Sequence, residues 1–188
     1  PKILDYFKAQ QPLYTVQVDG IDYVKVYPGP VPLPEDLERI QFPLSLSFGE
    51  QIRLLGYDLN NSKLKSGDEL VVTFYWQFLE SPPPDLTLNI SLDNRDGNLL
   101  NSSEGSLLNG YLALDQIAPG TVIRDVRKLT IAPGTLPGHY HLKVGWFSPN
   151  KGQALEVSKV QGNSLHHTLA LVHVHGSEGA GFSDGTGD

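Results

Sequence analysis

The sequence predicts an all-β protein: an antiparallel two-sheet β-sandwich, Ig-like or jelly-roll-like, with a small N-terminal helix-plus-hairpin appendage. Three observations carry this expectation. The run Glu69–Leu79, ELVVTFYWQFL, alternates with a period of two, so Leu70, Val72, Phe74, Trp76 and Phe78 share one face and Val71, Thr73, Tyr75, Gln77 and Leu79 the other. Roughly eight or nine strand-like runs recur at spacings of about 8–15 residues, with no helix-length periodic segment between them. The chain also carries 19 Gly and 14 Pro, which supply the turns that many short strands need.

Taken in order, residues 1–27 read as a helix and a hairpin. KILDYFKAQ places Ile3, Leu4 and Phe7 on one helical face and is closed by Pro12. Tyr14–Val18 and Ile21–Tyr27 are strands joined by Asp19-Gly20, a pair suited to a two-residue turn. Residues 28–43 hold five prolines and form a connector, with one helical turn at Pro34-Glu-Asp-Leu-Glu and an extended, surface-hugging path elsewhere. The sandwich is expected over 44–175. Its strands are Leu44–Phe48, Gln51–Leu59, the central run, Leu86–Asp93, a short one near Asn98–Ser102, Thr121–Ile131, His139–Phe147, Ala154–Val160 and Thr168–His175. Asn60–Asp68 reads as a polar turn region and Ser103–Gly120 as a long loop. In Thr121–Ile131 the apolar positions change phase between Val126 and Leu129, which suggests a bulge. Trp76 and Trp146 both fall on the inward phase. Residues 176–188 are glycine-rich and polar, and read as a flexible tail.

Composition narrows the function classes. The formal charge is -7 with no basic stripe, which argues against nucleic acid and against anionic membrane surfaces. The absence of cysteine excludes disulfides, thiolate metal sites and cysteine catalysis. No segment approaches the roughly 20 apolar residues that span a bilayer, and no signal peptide is visible. With no methionine the chain has no initiator and reads as a fragment or processed product.

Few motifs carry chemistry. His139/His141 and His173/His175 are His-x-His pairs, and residues i and i+2 of a strand share a face, so each pair can chelate a metal. Were the two strands neighbours, the four imidazoles could converge. The competing reading is that both pairs simply face solvent. Asp93-Asn94-Arg95-Asp96-Gly97-Asn98 offers oxygen ligands for calcium but lacks the terminal bidentate glutamate of a twelve-residue loop, and Asn, Asp and Gly are what a hairpin turn requires. Tyr75, Tyr111 and Phe147 fall on outward phases or in the long loop, where an aromatic ring can stack on a sugar. No nucleophile elbow, phosphate loop or dinucleotide fingerprint is present, so no catalytic residue and no cofactor are assigned.

The succession IRLLGYDL, GDELVVTFYWQ, LTLNISLDNRDGNLL and APGTVIRDVRKLTIAPGTLPGHYHLKVGWFSP, over residues 51–149, resembles a domain at the C-terminus of large bacterial membrane glycosyltransferases. Those enzymes are similar to the dolichyl-phosphate-mannose protein mannosyltransferase group. QPLYTVQVDGIDYVKVYPG resembles the piece that follows their last membrane helices. The resemblance implies a non-catalytic, extracytoplasmic accessory domain whose partner is the membrane-embedded remainder of its parent, either positioning glycan or acceptor near the membrane or simply stabilising the enzyme. The matching positions are turn and core residues, so no family catalytic residue transfers. Two rivals remain open: a free-standing cell-surface carbohydrate-binding or adhesion module, and a metal-dependent enzyme built on the histidines.

Overall fold

The computed structural model describes residues 7, 12, 14–27, 29–158 and 166–176. Strands β1 (Tyr14–Val18) and β2 (Ile21–Val26) pair as the expected hairpin, with Asp19 and Gly20 both at positive φ, 51° and 78°. Of the N-terminal helix only Phe7 lies within the described residues, and it is helical; the rest of that segment and the 177–188 tail lie outside them. A short helix α1 (Pro34–Glu38) forms where the connector allowed one turn.

The body is two stacked sheets. One has the order β3 (Phe42–Phe48), β4 (Ile52–Leu59), β6 (Glu69–Phe78), β9 (Val122–Thr130). The other has the order β5 (Lys63–Lys65), β12 (His167–His175), β10 (Gly138–Ser148), β7 (Thr87–Asp93), β8 (Leu99–Gly105), with β11 (Gln153–Ala154) also on β10. The chain is thus the all-β sandwich that alternation dictates, because apolar faces this large must be covered by a second sheet. Leu70, Val72, Phe74, Trp76 and Phe78 from β6 meet Tyr140, Leu142, Val144 and Trp146 from β10 in one buried cluster. The two indoles touch edge to face, with centroids 5.2 Å apart at 76°. Phe48 packs edge-on against Trp76, and Phe78 against Trp146. Tyr57 crosses the sandwich and donates its hydroxyl proton to the Leu169 carbonyl at 2.8 Å.

Three features differ from expectation. The pairing of β6 with β9 is regular from Glu69↔Thr130 to Gln77↔Val122, so β9 carries no bulge against β6. Its inward face runs Ile123, Asp125, Arg127, Leu129 without a change of phase. The apparent shift arises because two of those inward residues are an ion pair, while Val126 on the opposite face is buried as well. Second, β5 lies inside the polar region 60–68 and pairs in parallel with β12, Lys63 opposite His173, so one of the sandwich's pairings is not antiparallel. Only Leu64 of β5 is buried, too little to signal a strand. Third, the run expected as a strand over Ala154–Val160 is, among the described residues, only β11 and a single bridge from Val157 to Phe48. The connector keeps its surface-hugging path, over the outer face of the four-stranded sheet. Arg124 N–H donates to the Pro30 carbonyl at 2.6 Å, and Gln41 N–H to Asp58 Oδ1 at 2.7 Å. A Cβ on Gly56 would stand 2.5 Å from Ile40 Cγ2 and 2.7 Å from the Phe42 carbonyl oxygen, so glycine is required for that close approach.

Candidate functional site

With the connector occupying the outer face of one sheet, the other sheet's outer face is the open one. Along β10 that face presents His139, His141, Lys143, Gly145 and Phe147 in succession, since the inward phase belongs to Tyr140, Leu142, Val144 and Trp146. Strand register then sets their neighbours. Gly145 lies opposite Asn89 on β7, and Asn89 opposite Glu104 on β8, so one row crosses three strands.

Because Gly145 has no side chain, that row opens into a depression of about 300 Å³ lined by Asn89, Glu104, Gly145, Trp146, Phe147, Ala154 and His166. Phe147 forms one wall. The Thr87 hydroxyl lies 3.3 Å from both Glu104 Oε1 and the Phe147 carbonyl oxygen and donates to one of them at a time. Among the described residues the Asn89 side-chain amide has no hydrogen-bond partner. The half-buried His166 is held below the ordinary imidazole range by desolvation; Asp93 pulls it up and Lys143 pushes it down. It is therefore neutral at pH 7. A ring wall, an open floor and convergent amide, carboxylate and imidazole groups suit a polar ligand with one apolar face.

The histidine pairs occupy the other end of β10. β10 and β12 are indeed neighbours, and His139 lies directly opposite His173. Their rings stack with centroids 4.6 Å apart at 8°, and His175 leans on His173 at 4.1 Å and 50°. His141 lies opposite Leu171 and Asp93 and does not join the stack. Parallel imidazoles direct their ring nitrogens along parallel planes, not at one point. Among the described residues no three His, Asp or Glu side chains are placed to hold a metal ion. The 93–98 segment is a turn: Asn94 Oδ1 accepts from Asp96 N–H and Asn98 N–H at 3.0 and 2.8 Å, spending on the backbone an oxygen that calcium would need.

The three aromatics proposed for sugar stacking do not come together. Tyr75 is a correction: it is only 6% exposed, on the outer face of the four-stranded sheet, and donates its hydroxyl proton to Asp58 Oδ2 at 2.7 Å. Desolvation, then that hydrogen bond, drives its phenol pKa well up. Tyr111 is 45% exposed and follows the turn Leu107–Gly110 in the loop between β8 and β9. Phe147 alone lines the depression. Asn89 and Glu104 were missed as site residues because their proximity to Phe147 depends on cross-strand register. The available signal was Gly145, a gap in the outward series of β10.

Three depressed imidazoles give the domain a pH signature. His166, His167 and His173 are each held below the ordinary value, desolvation being the largest cause in every case. A histidine depressed in the folded state binds its proton more weakly there than in the unfolded chain. Stability is therefore full above about pH 6.5 and falls as pH drops through the depressed values. Thermal melts from about pH 7.5 to about pH 5 are expected to show a declining Tm, and H166Q/H167Q is expected to flatten that decline. A flat wild-type profile would contradict the assignment.

No family model matches the chain, and no curated protein matches it. Among solved structures it is similar to the C-terminal domain of wzt, at 15% identity and a TM-score of 0.50, over 78% of this chain and 86% of that one. It is also similar to the Pseudomonas fluorescens alkylpurine DNA glycosylase AlkC bound to DNA containing an abasic site analog (13%, TM-score 0.40, 66% of this chain and 30% of that one). A third is the CARDB domain of the PF1109 protein in complex with di-metal ions from Pyrococcus furiosus (12%, TM-score 0.34, 73% and 91%). At these identities the likeness to the wzt domain is one of fold, and the other two carry no argument.

Proposed function

We propose that this domain is a non-catalytic saccharide-binding module whose site is the depression around Gly145. The observation that carries the reading is the grouping of the Phe147 ring with the Asn89 amide, the Glu104 carboxylate and the neutral His166 over a side-chain-free floor. A pyranose has apolar faces and a rim of hydroxyls, and this lining offers both kinds of contact. Binding rather than hydrolysis is favoured because Glu104 is the one carboxylate among the described lining residues, whereas glycoside hydrolysis ordinarily uses two. Following the resemblance, we place the module outside the cytoplasm as an accessory domain of a membrane glycosyltransferase, positioning acceptor or nascent glycan. The β1–β2 hairpin supports a covering partner: all six residues of β2 are exposed, Ile21, Tyr23, Val24 and Val26 among them.

Screening the domain on a glycan array, beside F147A and N89A, tests this. Weak binding by the wild type is expected, with each variant losing at least about tenfold, ~1.4 kcal/mol. No hit for the wild type, or hits that both variants retain, would count against it. The parental assignment is checked by the complete reading frame, where membrane helices are expected upstream of Pro1.

A further inference from the structure

The far end of the same face carries a second constellation. Lys63 lies opposite His173, and His173 opposite His139, so one row across β5, β12 and β10 reads Lys, His, His. Lys65 lies opposite His175. Arg95 enters from the β7–β8 turn and, with His139, His141 and Leu171, lines a shallow depression of about 500 Å³. Among the described residues Lys63, Lys65 and Arg95 form no ion pair. Of the nearby acids, Asp93, opposite His141, pairs through Oδ2 with Lys143 at 2.7 Å while its Oδ1 has no partner among the described residues; Asp96 shares the turn with Arg95, and Asp68 Oδ2 accepts from Lys65 N–H at 2.8 Å. On a chain of net charge -7 this is a local concentration of cationic and cationisable groups.

We propose that this end of the sheet is an oxyanion subsite, and that the domain's ligand is an acidic saccharide whose carboxylate or phosphate rests against Arg95, His139 and His141. The subsite stands on its own residues; only the identity of the ligand as a saccharide rests on the reading above. A divalent metal is the poorer occupant, because the stacked rings do not aim their nitrogens at one point and Lys63 and Arg95 would repel it. An anion meets the opposite situation. Arg95 offers a planar fork of donors, and each imidazole gains a second N–H donor on protonation. The two depressions are four residues apart on β10, Gly145 to His141, about 13 Å of strand, so one extended ligand reaches both.

Protonation and anion binding are then coupled. In the free protein desolvation, then His175, His139 and Lys63, keeps His173 below its ordinary value, so His173 is neutral at pH 7. A bound oxyanion offsets the repulsion that opposes its charging. Affinity therefore rises as pH falls through the imidazole range, and the anion restores part of the Tm lost on acidification.

The test follows histidine side-chain resonances by NMR in the intact chain while inorganic phosphate, glucuronate or glucose is added at about pH 5.5 and about pH 7.5, either side of the ordinary imidazole value. Phosphate, glucuronate or both are expected to shift His139, His141 and His173, binding at least about fivefold tighter at the lower pH. Which of the two anions acts names the substituent; glucose leaves these signals in place. R95Q/H139Q changes two exposed side chains and is expected to abolish the response without altering the fold. No response to either anion, an equal response in the double variant, or a response to Zn²⁺ alone would overturn the subsite. Phosphate binding here with no glycan bound anywhere would overturn the saccharide reading and leave the oxyanion subsite standing. Glycan binding with silent histidines would do the reverse.

Discussion

Replacing Arg127 with alanine is expected to destabilise the domain by about 3–5 kcal/mol, because it strands a buried carboxylate. Arg127 and Asp125 are 3% and 0% exposed, and both point into the interlayer, opposite Val72 and Phe74 in register. Arg127 Nε donates to Asp125 Oδ2 at 2.7 Å, and its second guanidinium arm donates to the Ser106 carbonyl at 2.7 Å. The other carboxylate oxygen of Asp125 accepts from Leu108 N–H at 2.9 Å. The pair thus fastens the loop 106–111, whose Leu108 and Asn109 hold positive φ, to the middle of β9. D125A is expected to cost a similar amount, since it leaves both a guanidinium and a backbone N–H unsatisfied. The double variant D125A/R127A should cost less than the sum of the singles by about 0.5–3 kcal/mol, the signature of residues in one network. Urea unfolding with an unchanged m-value is the measurement. An R127A variant within about 1 kcal/mol of wild type would remove the pair from the account.

W76A is expected to cost about 3–5 kcal/mol, with W146A similar. Both indoles are fully buried, and each is the other's neighbour across the interlayer, so truncation opens a cavity walled by Phe48, Phe74 and Phe78 that the sheets cannot collapse to fill. The tryptophans are nonetheless imperfect residents. Among the described residues neither Nε1–H has a hydrogen-bond acceptor, and an orphan buried donor costs roughly 1–3 kcal/mol. W76F should therefore lose clearly less than W76A, because it keeps a ring and discards the orphan. Equal losses for the two would contradict this reading of the core.

The fold was largely legible because its cause is local. Alternation in β6, β7 and β10 names the inward residues one by one, and the structure buries Leu70, Val72, Phe74, Trp76, Phe78, Leu88, Ile90, Leu92, Tyr140, Leu142, Val144 and Trp146 as that pattern requires. Legibility failed where tertiary context overrides polarity. Asp125 and Arg127 look like solvent-facing residues until they are paired, and so produced an apparent change of phase in β9. β5 escaped notice because three residues with one buried leucine carry no pattern; its partner β12 holds it from outside. Tyr75 reads as outward, and is, yet it is buried there, bonded to Asp58 and within electrostatic reach of Asp36 in the proline-rich connector, whose docking no periodicity announces. The site was legible in fragments. Phe147 and the histidine pairs could be singled out from strand phase alone. That Asn89 and Glu104 flank Gly145, and that His139 faces His173, are facts of strand order and register, which a single sequence does not encode locally.

The central claim is that ligand meets the outer face of the six-stranded sheet around Gly145, and backbone amide mapping by NMR tests it most directly. A saccharide identified by array screening should give its largest shift changes at Asn89, Glu104, Gly145, Phe147 and Ala154, fading toward the connector side. Largest changes on the connector, on the β1–β2 hairpin or on the four-stranded sheet, with the Gly145 row unmoved, would contradict it.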